Sequence, residues 1–348
     1  MKLHSLQYLR AIAATAVVWS HAAIQVDSYK PFLRETGAFG VDIFFVISGF
    51  IMVYIAKETD SPKRFFLNRV RRVIPLYWFF TLLMAAILLF VPSVFKNSAF
   101  SLIATLKSLF FIPETSISNP EHIWPILAPG WSLNYEMYFY ALFALALFVP
   151  LRLRIWAITA AITVVFVLAN LSGSEGPIAM FYSSSIVFEF VFGMVLALLF
   201  RKYSEFKLPP ALPWILLVAG FAIMLLPESN LPRIIHYGIP ALMIVIGTIY
   251  CTIGFSRFFV MLGDTSYSLY ICHIFTLGIC RKVLPAFLGD GQSAAILFAI
   301  ISTIICIVVG ILVHYIVDEW FLKTERLTQA KNLMKSTKQA TKTIKKPA

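Results

Sequence analysis

The sequence predicts an all-α, polytopic membrane protein of about ten transmembrane helices with both termini cytoplasmic. Three observations carry that prediction. The 348-residue chain is 59% hydrophobic and only 13% charged, with a mean hydropathy of +0.83. A soluble domain of that length would need more polar surface to face water. The apolar residues fall into ten segments, most of them roughly the 17–25 residues that cross a bilayer core. The loops between them alternate between basic and nearly neutral, with Arg281 and Lys282 at the outer end of the ninth segment a modest exception, so positive charge marks the cytoplasmic side and the span count is even. The net charge of +12 sits in those loops and in the tail. It therefore reads as topology and not as a nucleic-acid surface.

The segments follow in order. The first, 8–25, reads YLRAIAATAVVWSHAAI from Tyr8. Arg10 and His21 interrupt it, so it is expected to remain in the protein and not to be cleaved as a signal peptide. The second is 39–56. A basic loop, 57–72, follows, with Lys57, Lys63, Arg64, Arg69, Arg71 and Arg72 against Glu58 and Asp60. The third is 73–92. Ala99–Ile112 is too short to span, and its Lys107 and exit into Pro113 suggest an interfacial or re-entrant helix. The fourth, fifth and sixth are 131–150, 155–171 and 178–200, with Arg152 and Arg154, then Arg201, Lys202 and Lys207, at cytoplasmic turns. The seventh, 211–226, is the shortest. The eighth, ninth and tenth are 237–254, 259–281 and 293–317. Residues 1–322 are expected to form a membrane domain and 323–348 a basic cytoplasmic tail lying near anionic headgroups. Cys251, Cys272, Cys280 and Cys306 fall within spans without metal-like spacing, so they read as packing residues and no metal site is expected.

Ionisable residues inside spans are costly, on the order of 3 kcal/mol at the centre, and usually face a cavity or one another. Arg10 and His21 lie eleven positions apart, almost three helical turns, on one face and roughly 16 Å apart along the axis. Either both serve the chemistry, or Arg10 snorkels to one interface and His21 sits near the other. With the predicted topology, His21, Asp42, Glu136 and His273 lie roughly 5–12 Å below the outer ends of four spans, in one layer. Arg10 and Asp264 lie near the inner side, and Glu189 near the middle of the sixth span. The reading is a polar conduit from the cytoplasmic face to a site near the outer face. Arg69 and Arg72, three apart, could clamp a phosphate at its mouth. They also suit a plain positive-inside anchor.

Five blocks, LQYLRAIAATAVVWSHA, GAFGVDIFFVISGF, NRVRRVIPLYW, PGWSLNYEMYFY and LGDTSYSLYICH, stand in the order and spacing of acyltransferase family 3. The chain resembles that family over essentially residues 3–320, and its shape is closest to the exopolysaccharide-production, ExoZ-like branch. These are integral-membrane O-acyltransferases of surface carbohydrates. The resemblance implies that Arg10 and His21 are the signature pair, that Arg69 and Arg72 engage an acyl-CoA donor, and that Glu136, Tyr267 and His273 are the marked residues of the later blocks. Many relatives carry a soluble esterase-like domain as well; this chain is expected to act through its membrane core alone.

The implied activity is transfer of an acyl group, most simply acetyl, from cytoplasmic acyl-CoA. The acceptor would be a hydroxyl of an exopolysaccharide or other surface glycan, free or lipid-linked, at the bacterial inner membrane. Acyl-CoA is then a co-substrate; no permanently bound cofactor is expected. The other expected partners are the carbohydrate acceptor and membrane lipids. Such a reaction needs a base for the hydroxyl proton and donors for the developing oxyanion. His21 suits the first role, with Glu136 as its orienting carboxylate. His273, Tyr267, Asp42 and Glu189 are candidates for the substrate site. Direct transfer is expected, because none of Ser20, Ser48 or Ser132 has a base at fixed spacing; a histidine-linked acyl group is the alternative. A transporter or flippase would also show intramembrane charge, but no inverted repeat is visible.

Overall fold

A computed structural model describes residues 4–32, 36–91, 99–203, 208–226, 231–252 and 254–318. Among these the chain is helical throughout, without strands. The ten apolar segments each contain helix: α1 His4–Ala23, α2 Gly40–Ile55, α3 Pro62–Phe90, α5 Gly130–Ala146, α6 Leu151–Leu171, α8 Phe188–Lys202, α9 Ala211–Met224, α10 Ile239–Tyr250, α12 Ser266–Val283 and α14 Gln292–Val313. Shorter helices intervene: α4 Leu102–Leu109, α7 Pro177–Tyr182, α11 Arg257–Asp264 and α13 Pro285–Leu288. Three helical stretches, Pro62–Phe90, Leu151–Leu171 and Gln292–Val317, are long and apolar enough by themselves to cross a membrane. The bent pair α11–α12 makes a fourth if it counts as one span. The tail at 323–348 lies outside the described residues.

Two segments read from sequence as single spans are broken. The sixth, 178–200, divides into α7, a 3-10 turn at Ser185–Val187 and α8. The break falls in Ser183–Ser185, whose hydroxyls compete for backbone groups; Ser183 Oγ donates to Met180 O at 3.0 Å. Glu189 consequently sits in the first turn of α8, not mid-span as expected. The ninth, 259–281, bends by 66° between α11 and α12. Thr265 Oγ1 and Ser266 Oγ donate to the carbonyls of Leu262 and Gly263 at 3.1 and 2.7 Å, so side chains occupy backbone acceptors at the corner. The short stretch 99–112 does fold as a short helix, capped where Ser101 Oγ accepts from Ala104 N at 3.2 Å.

Packing centres on α1 and α2. Helix α2 lies along α8, α9 along α10, α12 along α14, and α1 touches α2, α11, α12 and α14. The α2–α8 crossing is close because Gly49 meets the backbone of Phe190 and Gly193 meets that of Val46 and Phe50. A Cβ at either position would overlap the facing main chain, and small residues are how apolar helices approach without a hydrophobic drive in lipid. The basic turns also make buried contacts. Buried Arg154 donates to the carbonyls of Val149, Lys57 and Glu58 at 3.0, 2.8 and 3.2 Å. Arg201 donates to Val53 O at 3.2 Å. Together they satisfy carbonyls at and just beyond the end of α2 that a membrane interior would leave costly.

Candidate active site

The cavity that gathers the sequence-marked residues has a volume of about 400 Å³ and lies where α1, α2, α3, α5, α11 and α12 converge. Its polar lining comprises Gln7 and Arg10 of α1, Ser48 of α2, Arg69 and Arg72 of α3, Ser132, Glu136 and Tyr140 of α5, and Asp264, Ser266, Tyr267 and Tyr270 beyond them. Apolar walls include Phe44, Phe45, Ile51 and Met52. A few convergent polar groups on apolar walls are the usual make-up of a small-molecule site, and the volume falls within its common range. Three arginines face two carboxylates, so the lining is net positive and suited to an anionic ligand. Arg71, between the two lining arginines in sequence, is not part of the lining.

Helical spacing explains most of the internal contacts. Arg10 Nη1 donates to Gln7 Oε1, three residues earlier, at 3.1 Å. Tyr140, one turn after Glu136, donates its hydroxyl to Glu136 Oε1, and Ser48 Oγ donates to the same oxygen at 3.2 Å. Arg69 packs over the rings of Phe65 and Tyr140 at 5.4 and 5.8 Å, cation–π contacts that hold its guanidinium beside the cavity it lines. Its Nε is buried with no hydrogen-bond partner among the described residues. Tyr267 OH donates to Val73 O at 2.6 Å and ties α12 to α3. At the far wall Ser132 Oγ and Tyr270 OH share a hydrogen bond of 2.7 Å, and Tyr270 OH reaches Pro129 O at 3.0 Å.

The two histidines come together elsewhere on the same helices. His21 Nδ1 lies 2.7 Å from His273 Nε2, the rings almost coplanar at 5°. His273 is fully buried, while His21 is half-buried. His273 follows Tyr270 of the cavity wall by three residues, about 4.5 Å along α12. The expected single layer of four groups therefore divides. Glu136 is not the partner of His21; its carboxylate is held by Ser48 and Tyr140 in the arginine-lined cavity. Asp42 belongs to neither group. It is buried in the first turn of α2 and pairs with Arg233 at 2.8 Å, with the buried Glu189 carboxyl facing the same pair. One guanidinium offsets one carboxylate charge, so Arg233 accounts for the burial of Asp42.

Sequence reasoning missed Gln7, Tyr140, Ser266 and Tyr270 in the lining and Arg233 as the partner of Asp42. Tyr140 had a signal, the i+4 spacing from Glu136. Arg233 had none, since 191 positions separate it from Asp42.

Comparison with known proteins adds three findings. Residues 3–315 match the family model described as Acyltransferase domain. The chain is 34% identical over 304 residues to the "Exopolysaccharide production protein ExoZ" of Rhizobium meliloti (strain 1021), covering 83% of this chain and 91% of that protein. It is 24% identical over 355 aligned positions to the "Acyltransferase MdmB" of Streptomyces mycarofaciens, covering 91% of each. No solved structure matches the chain.

Proposed function

The chain belongs to the Acyltransferase domain family, and on that premise we propose that it transfers an acyl group from acyl-CoA to a carbohydrate hydroxyl. The observation that carries the proposal is the cavity in which Arg10, Arg69 and Arg72 meet Glu136 and Tyr140, with its wall residue Tyr270 one helical turn before His273 of the histidine pair. Arg69 and Arg72 receive the phosphates of the donor, where bidentate guanidinium contacts suit them. The pantetheine arm fills the cavity and carries the thioester past Arg10 towards the histidines. His21 takes the hydroxyl proton, the oxygen attacks the thioester carbonyl, and the thiolate leaves. Positive and hydrogen-bonding groups lining the path oppose the charge that develops on the carbonyl oxygen.

The acyl group is most simply acetyl, and the acceptor an exopolysaccharide or its lipid-linked precursor; the name of the Rhizobium relative supports that class. The ten apolar segments, the basic loops at 57–72, 152–154 and 201–207 and the charge-poor loops between them support a ten-span arrangement in the inner membrane. Both termini are then cytoplasmic, the membrane domain covers 1–322, and the basic stretch 323–348 is a cytoplasmic tail. Family membership makes the transporter reading unnecessary. Mass spectrometry of surface glycans from cells with and without the gene tests the acceptor. A mass loss of one acyl group per repeat is expected in its absence, and unchanged glycan masses would contradict the proposal.

A further inference from the structure

We propose that His273 is a positioning residue that fixes the tautomer of His21, leaving Nε2 of His21 as the basic nitrogen. The inference rests on the reading of His21 as the base and assigns which of its nitrogens acts.

The direction of the chain of hydrogen bonds follows from one group. His273 Nδ1 lies 2.7 Å from the carbonyl oxygen of Tyr270. A backbone carbonyl only accepts, so Nδ1 of His273 carries a proton. In a neutral ring the other nitrogen then carries a lone pair. That nitrogen, Nε2 of His273, lies 2.7 Å from Nδ1 of His21. Two lone pairs cannot share that separation, so Nδ1 of His21 is the donor. His21 is thereby a neutral imidazole with its lone pair on Nε2, the ring nitrogen not engaged with His273. The near coplanarity of the rings is the geometry an in-plane N–H···N bond requires.

Burial separates the two roles. His273 is 0% exposed, held on α12 against α14, where Cys306 Sγ lies 3.9 Å from its carbonyl. A substrate has no route to it. His21 is half-buried near the end of α1 and can meet an acceptor hydroxyl. During transfer the hydroxyl proton passes to His21 Nε2, the acyl carbon–oxygen bond forms and the carbon–sulfur bond breaks. The imidazolium proton then neutralises the leaving thiolate. Throughout, His21 Nδ1–H keeps its bond to His273, which orients the ring and accepts hydrogen-bond density from the imidazolium. An aspartate fills that place in hydrolytic triads; a second, neutral histidine does so here without placing another charge in the membrane.

Gln at position 273 can present its side-chain oxygen near the former Nε2, whereas Ala presents nothing. Purified wild type, His21→Ala, His273→Ala and His273→Gln should be compared in acyl transfer, with donor binding and thermal stability measured in parallel. His273→Ala is expected to lower kcat by about 10²-fold with the KM for acyl-CoA unchanged, and His273→Gln to recover to within about tenfold of wild type. Wild-type kcat in His273→Ala, or equal losses in Ala and Gln, would overturn the inference. Transfer surviving in His21→Ala would instead overturn the base reading beneath it. Nitrogen-15 spectra of histidine-labelled wild type, with the His21 signals assigned by the His21→Ala variant, do not depend on any variant of His273 folding. They should show resting His21 protonated at Nδ1 and bare at Nε2; a proton on its Nε2 would overturn the inference.

Discussion

At the scale of single residues, the proposed site separates charge from proton transfer. Arg10, Arg69 and Arg72 share one cavity, while the imidazoles of His21 and His273 form a separate pair. Replacing Arg69 or Arg72 by Ala is expected to weaken acyl-CoA binding about tenfold each, the size of one charge-assisted contact. Raising the salt concentration should shrink the difference from wild type, because phosphate contacts at an exposed mouth are screened. Arg71→Ala should leave affinity near wild type, and calorimetric titration with a non-hydrolysable acyl-CoA analogue measures all three. Equal losses at 69, 71 and 72 would reduce the cluster to a topology signal. The individual arginines were legible in sequence because three-residue spacing on a helix puts 69 and 72 on neighbouring faces. The partner of His21 was not. Glu136 sat at a suitable depth, but depth alone does not give the azimuth of a helix, and α5 turns that carboxylate towards Ser48 and Tyr140.

At the scale of elements, close crossings and breaks decide where the side chains point. Gly49 lets α2 lie against α8, and the adjacent Ser48 on α2 reaches Glu136 of α5. Gly49→Leu should therefore cost about 1–3 kcal/mol by overpacking, seen as a lowered thermal midpoint in detergent. It should also reduce transfer by displacing Ser48, whereas Gly254→Ala, with nothing near its Cβ, should do neither. An unchanged midpoint in Gly49→Leu would mean the crossing is looser than described. Sequence reading located each apolar segment that contains a helix, because hydropathy alone marks apolar runs. It missed the breaks at Ser183–Ser185 and Thr265, where short polar side chains take over backbone hydrogen bonds without interrupting the hydropathy. Both breaks matter to the ionisable groups: one sets Glu189 in the first turn of α8 beside Asp42, and the other places Asp264 at the corner bordering the cavity.

At the scale of the whole molecule, the proposed transfer requires the cavity mouth and the histidine pair to open to opposite sides of the membrane. Cysteines introduced in 57–72 and 201–208 and in the tail should react with impermeant reagents only from the cytoplasm, and those in 113–130 only from outside. Labelling of the tail from outside would invert every loop after 211–226 and break the shared path. The all-helical character was legible from composition, since a chain this apolar must satisfy its backbone internally. The meeting of α1 with α12 was not, because 252 positions separate His21 from His273 and no local pattern encodes that contact. The central claim is that His21 performs the proton step on a donor held by the arginines. Its most direct measurement is acyl transfer by purified His21→Ala protein, with acyl-CoA binding measured on the same sample. The account predicts donor affinity within about twofold of wild type and transfer lowered by about 10²–10⁴-fold. Transfer within about threefold of wild type, far short of a lost general base, would contradict it.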